Sequence, residues 1–191
     1  MGDHADTDPS RMWFACYTRA NQERSVGRSC QNKNIESFLP LVPRASQWSD
    51  RLKTIWRPAF PGYIFVRTTV DGLSIVRSTA GVSYVLSSGM RPAVVRDGDI
   101  ENVRRVINGL VRSGAVCELG SALRRGVEVR VVEGPFEGVT GTILECRGHR
   151  RLLVRISWIG EGLAVDIDAN ALTRIESSAR GEDSGSRRLT R

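Results

Sequence analysis

The sequence predicts an α+β protein in which an N-terminal α/β sandwich is joined by a linker to a small β-barrel. Three observations indicate this class. Strand-like apolar runs and helical spacings alternate up to residue 110, which is typical of a sheet flanked by helices. The periodicity then breaks. Beyond the break, short alternating strands and glycine-rich turns follow one another closely, as in a small barrel.

These changes in sequence pattern divide the chain into five segments. They are a disordered N-terminus (1–10), the α/β domain (11–110), a linker (111–122), the barrel domain (123–176) and a disordered tail (177–191). Both ends are polar and contain few apolar residues, so burial there cannot offset the entropy of ordering the chain.

Strand character opens the α/β domain. An aromatic-rich run at 13–18 predicts a buried strand. The polar stretch 19–33 predicts a helix, because Val26 and Cys30 lie four residues apart and would share one helix face. Residues 35–41 return to strand character.

A basic hairpin extension is predicted at 44–57, where arginine and lysine residues are interleaved with Trp48 and Trp56. Two interpretations of the tryptophans stay open. Exposed aromatic side chains among basic residues are typical of nucleic-acid contacts. Alternatively, the two indoles pair across the strands of a solvated hairpin.

The rest of the α/β domain follows a Pro61-Gly62 turn signal. The predicted elements are a buried strand up to residue 67, a short helix at 71–78, and strands at 84–86 and 92–95. The clearest helix comes next, because Ile100, Val103, Val106, Ile107 and Leu110 recur with helical spacing. We predict that Gly109 ends this helix.

Alternating apolar residues predict the strands of the barrel domain. Four runs carry the pattern, at 127–131, 139–144, 152–158 and 163–167. Glycine and β-branched residues between 126 and 143 disfavour helix, so we expect a barrel that keeps its strands.

Charge and composition restrict the function. The formal net charge is +7, and such an excess favours polyanionic partners such as DNA, RNA or an acidic protein surface. Neither a signal-peptide pattern nor an apolar run of roughly 18 to 20 residues is present. We therefore expect a cytoplasmic protein without membrane association.

The sequence predicts no catalytic, metal or cofactor site. Its four cysteines are widely scattered, and a zinc site needs close ligand pairs. Of the two histidines, His4 lies in the predicted disordered start and His149 in a basic turn. The glycine-rich stretch 134–141 lacks the Lys-Ser/Thr ending of a phosphate loop. A monomeric, non-enzymatic protein is expected.

Two motifs give the chain a family resemblance. Residues 126–143 (GVEVRVVEGPFEGVTGTI) resemble the KOW motif of NusG-type and ribosomal proteins, which implies an SH3-like barrel. In the first domain, 59–66 (AFPGYIFV) and 77–82 (RSTAGV) resemble the NusG N-terminal domain in order and spacing. Over about residues 12–176 the chain therefore resembles the NusG family of transcription elongation and antitermination factors.

The resemblance implies an adaptor that docks on RNA polymerase. In the family, an apolar, aromatic depression of the N-terminal domain binds the clamp helices of the β′ subunit. The matching residues are Trp13, Tyr17, Phe60, Pro61, Tyr63 and Phe65. Phe60, just before the turn, is the expected principal anchor. The alternative is that several of the six are core residues, since strand alternation puts Tyr63 and Phe65 on one face and Ile64 and Val66 on the other.

Specialised members similar to RfaH also read the exposed non-template DNA strand near the first helix. The matching residues are Arg19, Asn21, Gln22, Arg24, Ser78 and Thr79. Arginine and amide side chains suit phosphates and base edges, and a solvated polar helix is the alternative. Ala80 stands where a basic residue is sometimes found, which argues against strong sequence-specific reading.

The family's barrel recruits a termination factor or a small-subunit ribosomal protein. The predicted anchors for this partner are Phe136 and Ile159. We expect the Gly-Pro turn before Phe136 to hold its ring outward. The basic hairpin and the loop around Ala80 favour a specialised factor for particular operons over a general one. A ribosome-associated RNA-binding protein is a third interpretation, against which the aromatic first domain argues.

Overall fold

The computed structural model of this chain describes residues 10–48, 51–115, 118–121, 127–146, 149–155, 159 and 161–175. Its helices are α1 (Glu23–Asn32), α2 (Leu73–Arg77) and α3 (Asp97–Ser113). The strands up to α3 are β1 (Met12–Thr18), β2 (Glu36–Phe38), β3 (Leu41–Trp48), β4 (Arg51–Pro58), β5 (Tyr63–Thr68), β6 (Val82–Val85), β7 (Ser87–Ser88), β8 (Arg91–Pro92) and β9 (Val94–Val95). The strands after α3 are β10 (Glu118–Ser121), β11 (Glu128–Val131), β12 (Thr140–Cys146), β13 (His149–Arg155), β14 (Glu161–Asp166) and β15 (Leu172–Arg174).

The first sheet is antiparallel, with the strand order β2-β5-β1-β6, and β9 also pairs with β1. Alternation along β1 sends Trp13, Ala15 and Tyr17 to one face and Phe14 and Cys16 to the other. Each face has its own helices. This confirms the predicted sandwich of an antiparallel sheet flanked by helices.

The face that carries Phe14 and Cys16 packs against α1 and α2. Both helices contribute apolar side chains to the same buried cluster, namely Val26, Cys30, Leu73 and Val76. The face that carries Trp13 packs against α3, whose buried side chains are Ile100, Val103, Val106 and Leu110.

The predicted hairpin is confirmed: β3 and β4 form a two-stranded sheet of their own. Its register places Trp56 opposite Pro43 and Trp48 opposite Arg51. The proposed pairing of the two indoles across the strands is therefore wrong, because a directly opposed pair needs matching register positions.

The first helix is shorter than predicted. It begins at Glu23, because Asn21 adopts a left-handed backbone (φ 59) that breaks helical geometry before it. It ends at Asn32, and Asn34 again takes a positive φ.

The third helix is longer than predicted. It runs through Gly109 to Ser113, and Gly114 (φ 66) provides the left-handed cap. A Cβ on Gly109 would lie 2.6 Å from Phe136 Cε1 and 2.8 Å from the Pro135 carbonyl oxygen. Glycine is therefore required here for close packing, not for helix termination, and that is why the predicted end was wrong.

A second antiparallel sheet follows α3, with the strand order β10-β14-β13-β12-β11-β15. Its core includes Leu152, Val154, Leu163 and Val165. Gly141 lies where a Cβ would be 2.5 Å from the Leu153 carbonyl oxygen, so this glycine permits the strands to approach.

The predicted linker, 111–122, contains ordered elements at both ends. The last turn of α3 reaches Ser113, and β10 pairs with β14 through Glu118–Ser121. Hydrophobic periodicity did not reveal β10, because the strand is short. The division into domains itself stays a prediction, and both predicted disordered ends lie outside the described residues apart from Ser10.

No helix in the described ranges is long and apolar enough to cross a membrane. Within the same ranges, His, Cys, Asp and Glu side chains form no group of three or more that could hold a metal ion.

Candidate functional site

Three tyrosines lie side by side across neighbouring strands of the first sheet. Tyr17 of β1 lies opposite Tyr63 of β5 on one side and opposite Tyr84 of β6 on the other. The rings of Tyr17 and Tyr84 are stacked, with centroids 5.1 Å apart, and Tyr63 meets Tyr17 edge-on at the same distance. Tyr84 is 52% exposed, whereas Tyr17 and Tyr63 are half-buried. We call these three side chains the tyrosine row.

A tight turn fixes the row at its β5 end. Gly62 has φ 80, and a Cβ there would lie 2.8 Å from the Tyr17 ring. The Gly62 amide donates to Glu23 Oε1 (2.9 Å), and its carbonyl accepts from the Thr18 amide (2.8 Å). The turn is thus tied to both α1 and β1, and Pro61 beside it is exposed.

The opposite end of the same sheet face is closed. Trp13 and Phe65 are buried beneath α3, and the Arg104 guanidinium lies 4.7 Å from the ring centroid of Phe38. Phe60 is 0% exposed and packs edge-on against Phe65, with centroids 6.0 Å apart. The expectation that Phe60 is the principal surface anchor was therefore wrong, because α3 and the sheet enclose it.

Of the six aromatic and proline candidates, the structure leaves Tyr17, Pro61 and Tyr63 at the surface and adds Tyr84 to them. Sequence reasoning missed Tyr84. The available signal was an aromatic residue in a predicted strand, and only the pairing of β6 with β1 shows that it completes the row.

The six nucleic-acid candidates do not form one site. Arg19 and Gln22 lie against the loop after α2: the Arg19 amide donates to the Gly81 carbonyl (2.8 Å), and a Cβ on Gly81 would lie 3.3 Å from Gln22 Cβ. Ser78 in this loop is exposed, and its hydroxyl donates to the Ile75 carbonyl (2.9 Å).

Thr79 is 3% exposed, and the protein itself uses its hydroxyl. Lys33 Nζ donates to this oxygen (2.8 Å), and the hydroxyl donates to the Ile75 carbonyl (2.9 Å). The expectation that Thr79 contacts nucleic acid was therefore wrong, since the side chain ties α1 to α2 inside the domain.

The remaining candidates, Asn21 and Arg24, line a cleft of about 490 Å³ between the start of α1 and the hairpin. Arg24 Nη2 donates to the Trp56 carbonyl across this cleft (3.3 Å). The predicted set is thus divided between two sides of α1.

The two barrel anchors are also buried, each 6% exposed. The turn at 134–138 holds Phe136 inward against Gly109 of α3, contrary to the expectation that it points outward. Ile159 belongs to the same buried cluster. Neither side chain is presented to a partner in this arrangement.

Hydrogen bonds between α3 and the second sheet surround the contact of Phe136 with Gly109. Asn102 forms two hydrogen bonds with Thr140: its Nδ2 donates to the carbonyl, and its Oδ1 accepts from the amide (2.8 Å). Arg105 donates to the Gly138 carbonyl (3.1 Å), and Arg112 donates to the Pro135 carbonyl. Among the described residues, the Phe136 ring and these four hydrogen bonds join α3 to the second sheet and its 134–138 turn.

Burial raises the pKa of two thiols, those of Cys16 and Cys30. It raises the pKa of the Cys16 thiol to about 12, and Cys30 nearby adds to this effect. Burial also raises the pKa of the Cys30 thiol. Cys16 of β1 and Cys30 of α1 belong to the same buried cluster, away from the surfaces described above.

Comparison with known proteins identifies a matching family model and several relatives that share one name. The sequence model of the family described as "Transcription termination factor nusG" matches residues 11–104. The NusG of Thermus thermophilus is 25% identical over 181 residues, covering 85% of this chain and 97% of the relative. The NusG of Halalkalibacterium halodurans is 26% identical over 181 residues, covering 86% and 99%.

Both relatives are named "Transcription termination/antitermination protein NusG", as is a Helicobacter pylori protein 26% identical over 168 residues, covering 81% of this chain and 93% of the relative. Among solved structures, one described as "Domain interaction in Thermotoga maritima NusG" is 23% identical, covers 87% of this chain and 98% of that chain, and has a TM-score of 0.46.

Proposed function

The chain belongs to the NusG family of transcription elongation and antitermination factors, and we propose that it docks on RNA polymerase through the tyrosine row. The partner surface is the pair of clamp helices of the β′ subunit. The observation that carries this proposal is the exposure of Tyr84, stacked on Tyr17, on the sheet face that α3 leaves open.

The row has the chemistry of a helix-binding surface. Tyrosine offers a large flat apolar ring and a polar tip, and few of its torsions are lost on binding. Stacking on Tyr17 further restrains the Tyr84 ring, which lowers the entropy that binding must overcome. An amphipathic helix can place its apolar side chains against such a surface and its polar ones at the hydroxyl rim.

Titration of a fluorescent β′ clamp-helix fragment tests this proposal. Tyr84→Ala is expected to weaken binding about fivefold or more, since truncated aromatic anchors cost more than about 1 kcal/mol. Tyr84→Phe is expected to keep most of the affinity. Ile75→Ala is the matched control, because Ile75 is comparably exposed but lies on α2, across the sheet. Full affinity in Tyr84→Ala would contradict the proposal.

The second sheet is proposed to recruit a further protein, either a termination factor or a small-subunit ribosomal protein. Phe136 is covered by α3, so a partner that uses this ring must first displace the sheet from α3. Pull-down of candidate partners by wild-type protein and by a Phe136→Ala variant tests whether the partner binds through the Phe136 ring. Equal capture by both would exclude Phe136 as the anchor.

Contact with the non-template DNA strand is a second part of the proposal. Arg19, Gln22 and Ser78 are exposed along the same side of α1 and can reach phosphates or base edges. Cross-linking from position 19 to a non-template strand carrying a photoreactive base tests this in an assembled elongation complex. If cross-linking from position 19 does not exceed that from a control at position 91, Arg19 is not part of the DNA-binding site.

We further propose that the protein is a non-enzymatic, monomeric, cytoplasmic factor that promotes processive elongation at particular operons. In vitro transcription across a terminator, on templates with and without the factor's own upstream leader, tests the operon dependence. An equal effect on every template would favour a general factor. Binding to ribosomal RNA without binding to polymerase would favour the third interpretation, a ribosome-associated protein.

A further inference from the structure

A buried carboxylate lies at the start of α1. Glu23 is the first residue of this helix and is only 7% exposed, although glutamate is rarely buried to this degree unless it is paired. Its Oε1 accepts a hydrogen bond from the Gly62 amide (2.9 Å), 39 residues away along the chain. This hydrogen bond joins α1 to the turn that precedes β5.

The turn needs such a restraint. Glycine populates positive and negative φ about equally, so its own preferences do not fix the backbone of Gly62. In the structure Gly62 has φ 80, and both of its backbone polar groups are used. The amide donates to Glu23, and the carbonyl accepts from the amide (2.8 Å) and the hydroxyl (3.3 Å) of Thr18. Glu23 thus holds this residue from the helix side, and Thr18 holds it from the strand side.

The residue held in this way lies directly against the tyrosine row. A Cβ on Gly62 would be 2.8 Å from Tyr17 Cε2, so the backbone of the turn packs on this ring. Tyr17 is the central member of the row: Tyr63 meets it edge-on and Tyr84 is stacked on it, each with centroids 5.1 Å apart. Tyr63 also follows Gly62 directly in the chain. A movement of the turn therefore displaces Tyr17 and Tyr63 directly, and Tyr84 through its stacking.

We propose that Glu23 is a positioning residue for polymerase docking, because its carboxylate fixes the turn that arranges the tyrosine row before a partner helix binds. This role rests on the proposed function of the row. Side chains that are already held in the bound arrangement lose less conformational entropy on association. Since Glu23 is buried, it acts on the partner helix through Gly62 and Tyr17 rather than by touching it.

The proposed role requires an acceptor oxygen at position 23 and not a negative charge. Glutamine has the length of glutamate and keeps an oxygen that can accept the Gly62 amide. Alanine leaves that amide without this partner. The variants Glu23→Gln and Glu23→Ala therefore separate loss of the charge from loss of the hydrogen bond.

Titration of the fluorescent β′ clamp-helix fragment with the full chain tests this role. Glu23→Ala is expected to weaken binding about two- to tenfold, the effect of one typical hydrogen bond. Glu23→Gln is expected to keep most of the affinity. Thr79→Val is the matched control, because the buried Thr79 hydroxyl bonds to Lys33 and Ile75 at the other end of α1. This control is expected to lower the melting temperature and leave the affinity unchanged.

Two further measurements show whether Glu23 acts through the tyrosine row. In NMR spectra of the free protein, the Tyr17 ring resonances are expected to shift in Glu23→Ala and to move far less in Glu23→Gln. In a double-mutant cycle, Glu23→Ala is expected to cost less affinity in a Tyr84→Ala background than in the wild type, because both changes act on one surface. Additive losses, or ring resonances that stay in place in Glu23→Ala, would contradict a role through the row.

Three binding results would overturn the proposal: wild-type affinity in Glu23→Ala, equal weakening in Glu23→Gln and Glu23→Ala, or equal weakening in Thr79→Val. Tyr84→Ala is measured in the same series to distinguish this proposal from the docking proposal. If Tyr84→Ala weakens binding and Glu23→Ala does not, only the role of Glu23 fails. If Tyr84→Ala keeps full affinity, docking through the row fails, and the positioning role fails with it.

Discussion

Gly109→Ala is expected to release the second sheet from α3. Gly109 sits under the Phe136 ring, and an added Cβ would lie 2.6 Å from Phe136 Cε1 and 2.8 Å from the Pro135 carbonyl oxygen. Real Cβ atoms do not approach this closely. One of these neighbours is backbone, so a side-chain rotation alone cannot relieve the clash, and the turn at 134–138 must move away.

The magnitude follows from two opposing effects. Overpacking a well-packed contact costs about 1–3 kcal/mol. Replacing glycine by alanine within a helix stabilises the helix by about 0.5–1 kcal/mol. The first effect acts on docking and the second on α3 alone, so they are separable. A loss of about 2 kcal/mol from docking lowers the ratio of docked to released molecules roughly 30-fold.

Hydrogen exchange at the Thr140 amide measures this ratio, because that amide donates to Asn102 Oδ1 across the docked contact. Gly109→Ala should reduce its protection roughly 30-fold, while α3 amides keep or gain protection. Gly98→Ala is the matched control, since Gly98 lies in the same helix with open space around it. Unchanged Thr140 protection in Gly109→Ala, or an equal loss in Gly98→Ala, would refute the packing argument.

Three further predictions concern the first domain. Phe60→Ala is expected to destabilise the fold by about 3–5 kcal/mol, measured by urea denaturation, because the ring is fully enclosed; a cost below about 1 kcal/mol would mean that it is not core. Gly62→Ala is expected to cost about 1–3 kcal/mol through its positive φ and to shift the Tyr17 ring resonances; unchanged resonances would contradict the close approach of Gly62 to that ring. Cys16 and Cys30 are expected to resist alkylation at pH 8 until the protein unfolds, because their raised pKa values leave little thiolate; rapid labelling in peptide mapping would argue against burial.

Local patterns predicted most of the fold. The aromatic strand at 13–18, the Pro61-Gly62 turn, the hairpin and the helix through Ile100 and Leu110 all follow from residues close together in sequence. The sequence predicted the positions of these elements to within a few residues, because periodicity and turn chemistry are local properties. The short strand β10 was not, since four residues carry too little pattern.

The site was less predictable, because exposure depends on tertiary packing. Strand alternation correctly put Tyr63 and Phe65 on one face, but α3 covers only the Phe65 end. The role of Gly109 shows the same limit. A glycine near a helix end indicates a terminator until the ring that packs on it, Phe136, is known from a distant part of the chain.

The orientation of Phe136 and the burial of Thr79 have the same origin. Each was assigned to a surface on the basis of its immediate neighbours. In the structure, Phe136 meets α3, and the Thr79 hydroxyl meets Lys33, 46 residues away along the chain. Contacts of such sequence separation leave no signature in a single sequence.

Site-specific photo-cross-linking tests most directly whether the tyrosine row is the polymerase-docking surface. Tyr84 is replaced by benzoylphenylalanine in the full chain, the protein is added to a reconstituted elongation complex, and the cross-linked subunit is identified by peptide mapping. We predict cross-links to the β′ clamp helices from position 84 and none from position 75 on α2. Cross-links from position 84 only to other subunits, or equal β′ cross-linking from position 75, would contradict docking through the tyrosine row.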